Sequence, residues 1–285
     1  MKGQATCHGA GTIVNAIATG EGAAFGLALR ATATVDVRPE AFGVQARVAA
    51  DVNPLLAVSA ARRILHRRDR KVGLEISIVS EIPISRGLKS SSAVANAVVR
   101  ATSRALGLDP EPQEILQASV DAAIDAGVTI TGAFDDACAS LYGGVCITDN
   151  RDRRLLALDS FPSELVAVLY IPRRMIRKSD LQGTDFAGIR SKVEAAFQLA
   201  LRGDYFRALE ANSEAYSPVL GIDESPAQRA RAAGALAAGI TGTGPAILAL
   251  TKPDRVERVR RAMEDGESEI RVVGLSPIES WAVIR

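Results

Sequence analysis

The segment Pro83–Ala93, which reads PISRGLKSSSA, constrains this chain more than any other stretch of its sequence. It follows the strand-like run Leu74–Ser80 and precedes Ser91–Leu106, an Ala/Val-rich stretch that predicts a helix. Gly87 permits a tight backbone turn, and three consecutive serines stand where the helix begins. The free N–H groups and the positive dipole end of a helix start attract anions. The segment therefore predicts a phosphate-binding loop.

Two better-known nucleotide motifs are excluded by the residues themselves. A P-loop requires G-x-x-x-x-G-K-[ST], whereas Lys89 follows Leu88 rather than a glycine. In addition, no G-x-G-x-x-G follows an early strand of a βαβ unit, which argues against dinucleotide binding.

Two further loops carry chemistry-bearing residues. Gly239–Pro245 (GITGTGP) is a mobile, donor-rich loop suited to closing over a phosphate or to contacting the first loop. In Thr131–Gly144 (TGAFDDACASLYGG), the adjacent carboxylates of Asp135 and Asp136 suit a metal ligand, a proton acceptor or a cap for the helix that follows. Cys138 in this stretch is expected to be a small packing residue.

Charge and composition narrow the classes of partner. The chain has 285 residues with 34 Lys and Arg against 33 Asp and Glu, so it lacks the excess positive charge that nucleic acids or anionic membranes attract. No apolar run approaches the roughly 20 residues of a membrane span. Its three cysteines form no C-x-x-C pair, which argues against a structural zinc site and favours reduced thiols in the cytoplasm.

The order of predicted elements indicates an α+β fold. Strand-like stretches dominate the first third, helices follow, and the last part alternates helix and strand, including a helix over 227–238 and a strand over 279–284. A helix is expected to begin at Asn53 and Pro54. The polar segment 149–163 suggests a domain boundary, with one domain over 1–155 and another over 156–285.

The three loops together resemble those of the GHMP kinases. Pro83–Ala93 is similar to the family's P-x-x-x-G-L-G-S-S-A motif, 239–245 to its third motif, and Asp136, seven residues before Gly143, to its catalytic aspartate. Residues 9–15 and 22–24 resemble a degraded first motif, where the family reads A-P-G-K and later G-x-P-A. The resemblance implies a ribosomal-protein-like N-terminal domain, a ferredoxin-like C-terminal domain and an active site between them.

Within the family, the sequences of all these motifs resemble those of the archaeal-type shikimate kinases. In that subgroup a lysine in place of the usual glycine, as at Lys89, is expected. This resemblance implies ATP-dependent phosphorylation of the 3-hydroxyl of shikimate. The residues alone indicate only phosphoryl transfer to a small molecule. Homoserine kinase, another small-alcohol kinase and a non-catalytic GHMP-fold sensor remain alternatives, and the sequence does not specify an oligomeric state.

The resemblance also implies roles for individual residues. Asp136 is expected to be the general base, with Asp135 as its competitor, and Ser91 and Asp125 to hold Mg²⁺, with Asp121 as the alternative to Asp125. Asn15 is expected either to contact nucleotide or substrate or to be a buried cap. The remaining predicted contacts with ATP and phosphate are Pro83, Ile84, Ser85, Arg86, Gly87, Leu88, Lys89, Ser90, Ser92, Ala93, Thr241, Gly242, Thr243 and Gly244.

A shikimate carboxylate favours a bidentate arginine. Arg86 is near the phosphate loop in sequence, and a dense basic cluster follows the strand that ends at Ile171: Arg173, Arg174, Arg177 and Lys178.

Overall fold

The computed structural model describes residues 1–48, 54–68, 71–129, 132–161 and 164–281. The strands are β1 (Lys2–Val14), β2 (Glu21–Arg38), β3 (Val44–Arg47), β4 (Gly73–Ser80), β5 (Val145–Asp149), β6 (Arg154–Asp159), β7 (Val166–Ile171), β8 (Ala237–Ile240), β9 (Ile247–Thr251) and β10 (Glu269–Gly274). The helices are α1 (Pro54–Arg67), α2 (Ser90–Ala105), α3 (Pro112–Asp125), α4 (Phe134–Tyr142), α5 (Arg190–Leu201), α6 (Tyr205–Leu220), α7 (Ser225–Ala232) and α8 (Val256–Met263).

The first sheet is organised around β2, its longest strand. β1 pairs antiparallel with β2 along one edge, while β4 and β5 pair with the two ends of the other edge. The outer strands β3 and β6 complete the six-stranded sheet. The second half of β2 alternates buried and exposed residues, as expected of a strand with one solvated face, whereas its first half is buried almost throughout.

Helices α1–α4 pack with this sheet, and small residues set how closely they approach it. α2 lies against β1 and β2 with a face of buried alanines and valines. A Cβ atom on Gly3 of β1 would lie 2.2 Å from the carbonyl oxygen of Ala101 in α2. The abundance of alanine and glycine therefore lets helix and strand backbones come into near contact.

The second sheet has the order β10-β7-β9-β8, with every neighbouring pair antiparallel. Helices α5, α6 and α7 lie between β7 and β8, and α8 connects β9 to β10, which is an elaborated form of the βαββαβ pattern of ferredoxin-like folds. α6 also packs against β1 of the first sheet, so the two halves of the molecule share an interface. The predicted α+β fold is confirmed.

The first sheet extends beyond the predicted boundary at 155/156. β6 lies within the polar segment 149–163, where the sequence suggests a domain boundary. It pairs with β5 from Val145↔Asp159 to Asp149↔Arg154. The final described segment then returns to this sheet: the N–H of Ser276 donates to the carbonyl of Gly26 (2.9 Å), and that of Gly144 to the carbonyl of Ser276 (2.9 Å). Thus 275–281 packs on the N-terminal half of the chain.

Two other element predictions differ from the structure. The helix predicted over 227–238 ends at Ala232, because Gly234 has a φ of +96° and the chain then enters β8. Residues 279–281, predicted to begin a strand, form none, and 282–285 lie outside the described residues, as does Asn53. Within the described residues, no helix is long and apolar enough to cross a membrane.

Candidate active site

A cavity of about 470 Å³ lies where the two halves of the molecule meet. One wall comes from the phosphate loop and the first turn of α2, and a second from the residues around the start of α4. The C-terminal half also contributes to the lining, through Ile176, Arg177, Ser179, Gly242 and Thr243. The cavity therefore brings together parts of all three loops that the sequence analysis singled out.

The start of α2 presents free backbone donors to this cavity. Lys89 is in the left-handed region (φ +65°) immediately before the helix, and no side chain caps the helix at that position. The first intrahelical bond runs from the N–H of Ala93 to the carbonyl of Lys89 (3.1 Å). The N–H groups of Ser90, Ser91 and Ser92 precede that bond and have no acceptor within the helix, so they can bind an anion.

Most of the predicted phosphate-loop residues line the cavity, but two do not. The Arg86 side chain is directed to a neighbouring groove, where its guanidinium donates to the carbonyl of Arg173 (2.5 Å). Ala93 is fully buried beneath the helix. The lining members are Pro83, Ile84, Ser85, Gly87, Leu88, Lys89, Ser90, Ser91 and Ser92.

The Gly-rich loop at 241–244 packs directly on the phosphate loop. The Thr241 hydroxyl donates to the carbonyl of Gly87 (3.0 Å), and a Cβ on Gly87 would lie 2.0 Å from the Thr241 carbonyl oxygen. Gly87 also has a φ of +83°, so its position requires glycine for two independent reasons. Gly242 and Thr243 line the cavity, whereas Thr241 and Gly244 are not in its lining.

Asn15 braces this loop instead of lining the cavity. Its side-chain nitrogen donates to the carbonyl of Gly242 (2.9 Å), and its side-chain oxygen accepts from the N–H of Ile17 (3.0 Å). Because both ends of the amide are engaged within the protein, the geometry favours the buried alternative for this residue. Thr12 has a similar role, since its hydroxyl accepts from the N–H of Gly242 (2.9 Å).

The charged centre of the cavity is a pair formed by Lys89 and Asp136. The Nζ atom of Lys89 lies 2.8 Å from Oδ1 of Asp136, and the two side chains are only 9% and 13% exposed. Both residues line the cavity next to the serines of α2. The pair therefore places a carboxylate and a cation together in the cavity, beside the predicted phosphate site.

Asp135, predicted as the competitor of Asp136, is directed into the protein. It is 4% exposed, its Oδ1 accepts from Nδ2 of Asn150 (2.7 Å), and its other oxygen packs against Gly22. Burial, with the neighbouring charge of Asp136, raises the pKa of Asp135 to about 6. Asp135 is not in the lining of the cavity, so contact with a substrate is the weaker interpretation for this residue.

The sequence analysis missed Asn150, which organises the start of α4. Its side-chain oxygen accepts from the N–H of Asp135 (3.1 Å) and from the hydroxyl of Thr148 (2.7 Å). Asn150 thus caps α4 from the end of β5, where no local signal connects it with a helix 16 residues earlier. The predicted packing role of Cys138 agrees with its complete burial, which strongly raises the pKa of its thiol.

Asp125, predicted as a metal ligand, does not line the cavity. Its carboxylate is paired with the Arg63 guanidinium on the outer surface, with Nε 2.9 Å from Oδ2. Asp121, the alternative, is paired with Arg153 (2.7 Å). Nearby arginines from α1 and the β5–β6 turn thus satisfy both carboxylates. Among the described residues, no group of three His, Cys, Asp or Glu side chains forms a cluster suited to a metal.

Close relatives and family models support one assignment for the whole chain. The shikimate kinase of Pyrococcus furiosus is 41% identical over 268 residues, covering 93% of this chain and 97% of that protein. The shikimate kinase of Methanosarcina mazei is 39% identical over 285 residues, covering 99% and 97%. The family model for the GHMP kinases N terminal domain matches residues 56–144, and the GHMP kinases C terminal model matches 227–267. The chain belongs to the GHMP kinase family.

Solved structures of other GHMP kinases share the fold at low sequence identity. A homoserine kinase from Cytophaga hutchinsonii has a TM-score of 0.78 at 19% identity, covering 96% of this chain and 95% of its own. A mevalonate kinase from L. major has a TM-score of 0.72 at 17% identity, covering 96% of each. Membership of this kinase family implies ATP as the cosubstrate.

Proposed function

We propose that this GHMP kinase transfers the γ-phosphoryl group of Mg²⁺-bound ATP to the 3-hydroxyl of shikimate. The acceptor is inferred from the shikimate kinases that are about 40% identical over nearly the whole chain. The observation that carries the chemistry is the Lys89–Asp136 pair, 2.8 Å apart beside the free N–H groups of α2.

The proposed binding of ATP rests on the N-terminal wall of the cavity. The backbone N–H groups of Ser90–Ser92 donate to the phosphate oxygens, and the α2 dipole favours their negative charge. The ammonium of Lys89 offsets charge that develops on the transferred group. These contacts fix the phosphates in one orientation, which is most of what an enzyme must provide for phosphoryl transfer.

Asp136 acts on the acceptor in this proposal. Its carboxylate lines the cavity and is held by Lys89, so it can orient the acceptor hydroxyl and accept its proton as the oxygen attacks. Asp135 lies behind it and holds the first turn of α4 in place through two hydrogen bonds with Asn150.

The cavity suits Mg²⁺ that arrives with the nucleotide. Mg²⁺ takes oxygen ligands and is commonly bound by substrate phosphates with one or two protein groups, and the lining offers serine hydroxyls and one carboxylate. Ser91 is the protein ligand we propose. Bound there, the ion would neutralise phosphate charge. Asp125 is left out of this proposal because Arg63 already holds its carboxylate.

A coupled assay of ADP release, with shikimate, homoserine, mevalonate and galactose offered separately, tests the acceptor. We expect saturable turnover with shikimate and a rate at least a hundredfold lower with each of the other three. Turnover with only one of those three would overturn the shikimate assignment and leave the family assignment intact. Nucleotide binding without turnover of any of the four would favour the sensor alternative.

We also propose a cytoplasmic location, where the three buried, unpaired cysteines stay reduced.

A further inference from the structure

The proposed acceptor carries a carboxylate as well as its hydroxyls, and ATP carries several negative charges of its own. A kinase for such a pair needs one set of cationic groups for the phosphates and another for the acceptor. A guanidinium is the group best matched to a carboxylate, because its planar N–H groups form two parallel hydrogen bonds. The acceptor site should therefore contain a cation separate from the phosphate loop.

Two cationic side chains are among the residues that line the cavity, Lys89 and Arg177. Lys89 belongs to the phosphate loop, and Asp136 already pairs with its ammonium at 2.8 Å. Arg177 belongs to the C-terminal half of the chain and lines the cavity from a separate segment, 88 positions after Lys89. No carboxylate lies within 4.0 Å of its guanidinium in the part of the chain that the structure describes.

The backbone at Arg177 is held firmly although its side chain is exposed. The N–H of Ile176, a buried residue, donates to the carbonyl of Ser85 (3.2 Å), and the N–H of Arg177 donates to Oδ2 of Asp180 (2.8 Å). The guanidinium is thus carried on a fixed base beside the phosphate loop and remains available to a ligand.

The other described arginines of the same basic segment are directed elsewhere. Arg174 donates to the carbonyl of Gly221 (3.2 Å). Arg173 lines the separate groove shared with Arg86, and its carbonyl accepts from the Arg86 guanidinium. Neither residue lines the cavity that contains Asp136, which leaves Arg177 as the member of this segment that can meet the acceptor.

We infer that Arg177 binds the carboxylate of the acceptor and thereby makes the kinase selective for a carboxylate-bearing alcohol. This inference rests on the proposed function. Arg177 and Asp136 hold the acceptor at two points, the first through its carboxylate and the second through the reacting hydroxyl. Fixing these two points limits which ring hydroxyls can reach Asp136 and raises the fraction of bound acceptor in a reactive orientation.

The test compares steady-state kinetics of the wild type with those of Arg177→Gln and Arg177→Lys. We expect Arg177→Gln to raise KM for shikimate by at least tenfold, with KM for ATP changed less than twofold. Arg177→Lys should recover part of the loss, since it restores charge without the bidentate geometry. The matched control is Arg174→Gln, which removes an arginine three residues away and should leave both constants unchanged.

A second readout compares shikimate with its uncharged methyl ester. The wild type should prefer shikimate strongly, and Arg177→Gln should reduce that preference to within about threefold. A rise of KM for ATP alone would assign Arg177 to the nucleotide phosphates and overturn the inference. Unchanged constants in Arg177→Gln, with active wild type, would overturn it while the proposed function stands. A wild type inactive on shikimate would overturn both.

Discussion

Lys89 and Asp136 are 47 positions apart in the sequence, and the fold brings their side chains to 2.8 Å. Lys89 stands immediately before α2 with a φ of +65°, and Asp136 is in the first turn of α4. The pair therefore links the N-terminal ends of two helices at the floor of one cavity. This contact between the phosphate loop and the acidic loop is the geometrical basis of the proposed reaction.

Removal of the Lys89 ammonium should lower the rate of the chemical step. Lys89→Met keeps most of the aliphatic stem but leaves developing phosphate charge uncompensated and releases the Asp136 carboxylate. We expect kcat to fall by about 10²–10³ in a coupled ADP assay. Lys192→Met is the control, because Lys192 is exposed on α5 and lies outside the cavity. A kcat within threefold of the wild type would show that Lys89 has no catalytic role.

The buried carboxylate of Asp135 should make stability depend on pH. Its pKa of about 6 in the folded chain, against an ordinary value of 3.8, means that the folded state binds this proton more tightly than the unfolded state. Its contribution to stability is therefore present at pH 4 and is lost as the pH rises to about 6. The Asp135→Asn variant has no carboxyl group to titrate at this position, so its free energy of unfolding should not show this decrease.

Urea unfolding of the wild type and Asp135→Asn at pH 4.5 and pH 7.5 measures this contribution. The free energy of unfolding of the variant, relative to the wild type, should increase between the two pH values by on the order of 2 kcal/mol. A difference that does not change with pH would mean that Asp135 titrates near its ordinary value. The comparison uses the change with pH, so a constant cost of the amide itself does not affect it.

The close approach of Gly87 to Thr241 should make this glycine indispensable. Gly87→Ala places a Cβ 2.0 Å from a backbone oxygen in addition to the strain of its positive φ. We expect kcat/KM to fall at least tenfold because the two loops must separate. Gly183→Ala isolates the strain, since Gly183 has a similar φ of +80° and a Cβ added there would meet nothing within 4 Å among the described residues. That control should cost about 1 kcal/mol of stability and no activity. Equal effects of the two variants would contradict the proposed contact.

The exclusion of Asp125 from the metal site can be tested against Ser91. Asp125→Asn removes an exposed ion pair with Arg63 and should change the Mg²⁺ concentration for half-maximal activity less than twofold. Ser91→Ala should raise that concentration severalfold, because it removes the proposed hydroxyl ligand. If Asp125→Asn instead raises the Mg²⁺ requirement tenfold, the carboxylate leaves Arg63 to bind the ion during turnover.

The features that could be predicted from the sequence are those formed by residues close together in the chain. The hydroxyl cluster, Gly87 and the following helical stretch are contiguous, so the phosphate loop and α2 are predictable directly from 83–106. Asp136 is distinguished from Asp135 only through the family motif. The physical difference between them lies in Asn150, a residue in the polar turn after β5 that bonds to Asp135 across the fold.

Pairings between distant segments account for the places where the structure differs from what the sequence suggests. Asp125 resembles a metal ligand in the sequence because nothing there shows that Arg63, on a different helix, reaches its carboxylate. The segment that contains β6 suggests a domain boundary in the sequence, because an edge strand with exposed alternate residues is as polar as a loop. The contact of Asn15 with Gly242, which favours one of its two interpretations, joins residues 227 positions apart.

The most direct test of the account is the Asp136→Asn variant, measured for both turnover and nucleotide binding. The account predicts that phosphorylation of shikimate falls by at least about 10³, because the amide cannot accept the hydroxyl proton, while the dissociation constant of a non-hydrolysable ATP analogue changes less than threefold. Asp135→Asn, assayed alongside, should retain at least a tenth of wild-type turnover. Near-normal turnover in Asp136→Asn, or complete loss only in Asp135→Asn, would contradict the assignment of the catalytic base.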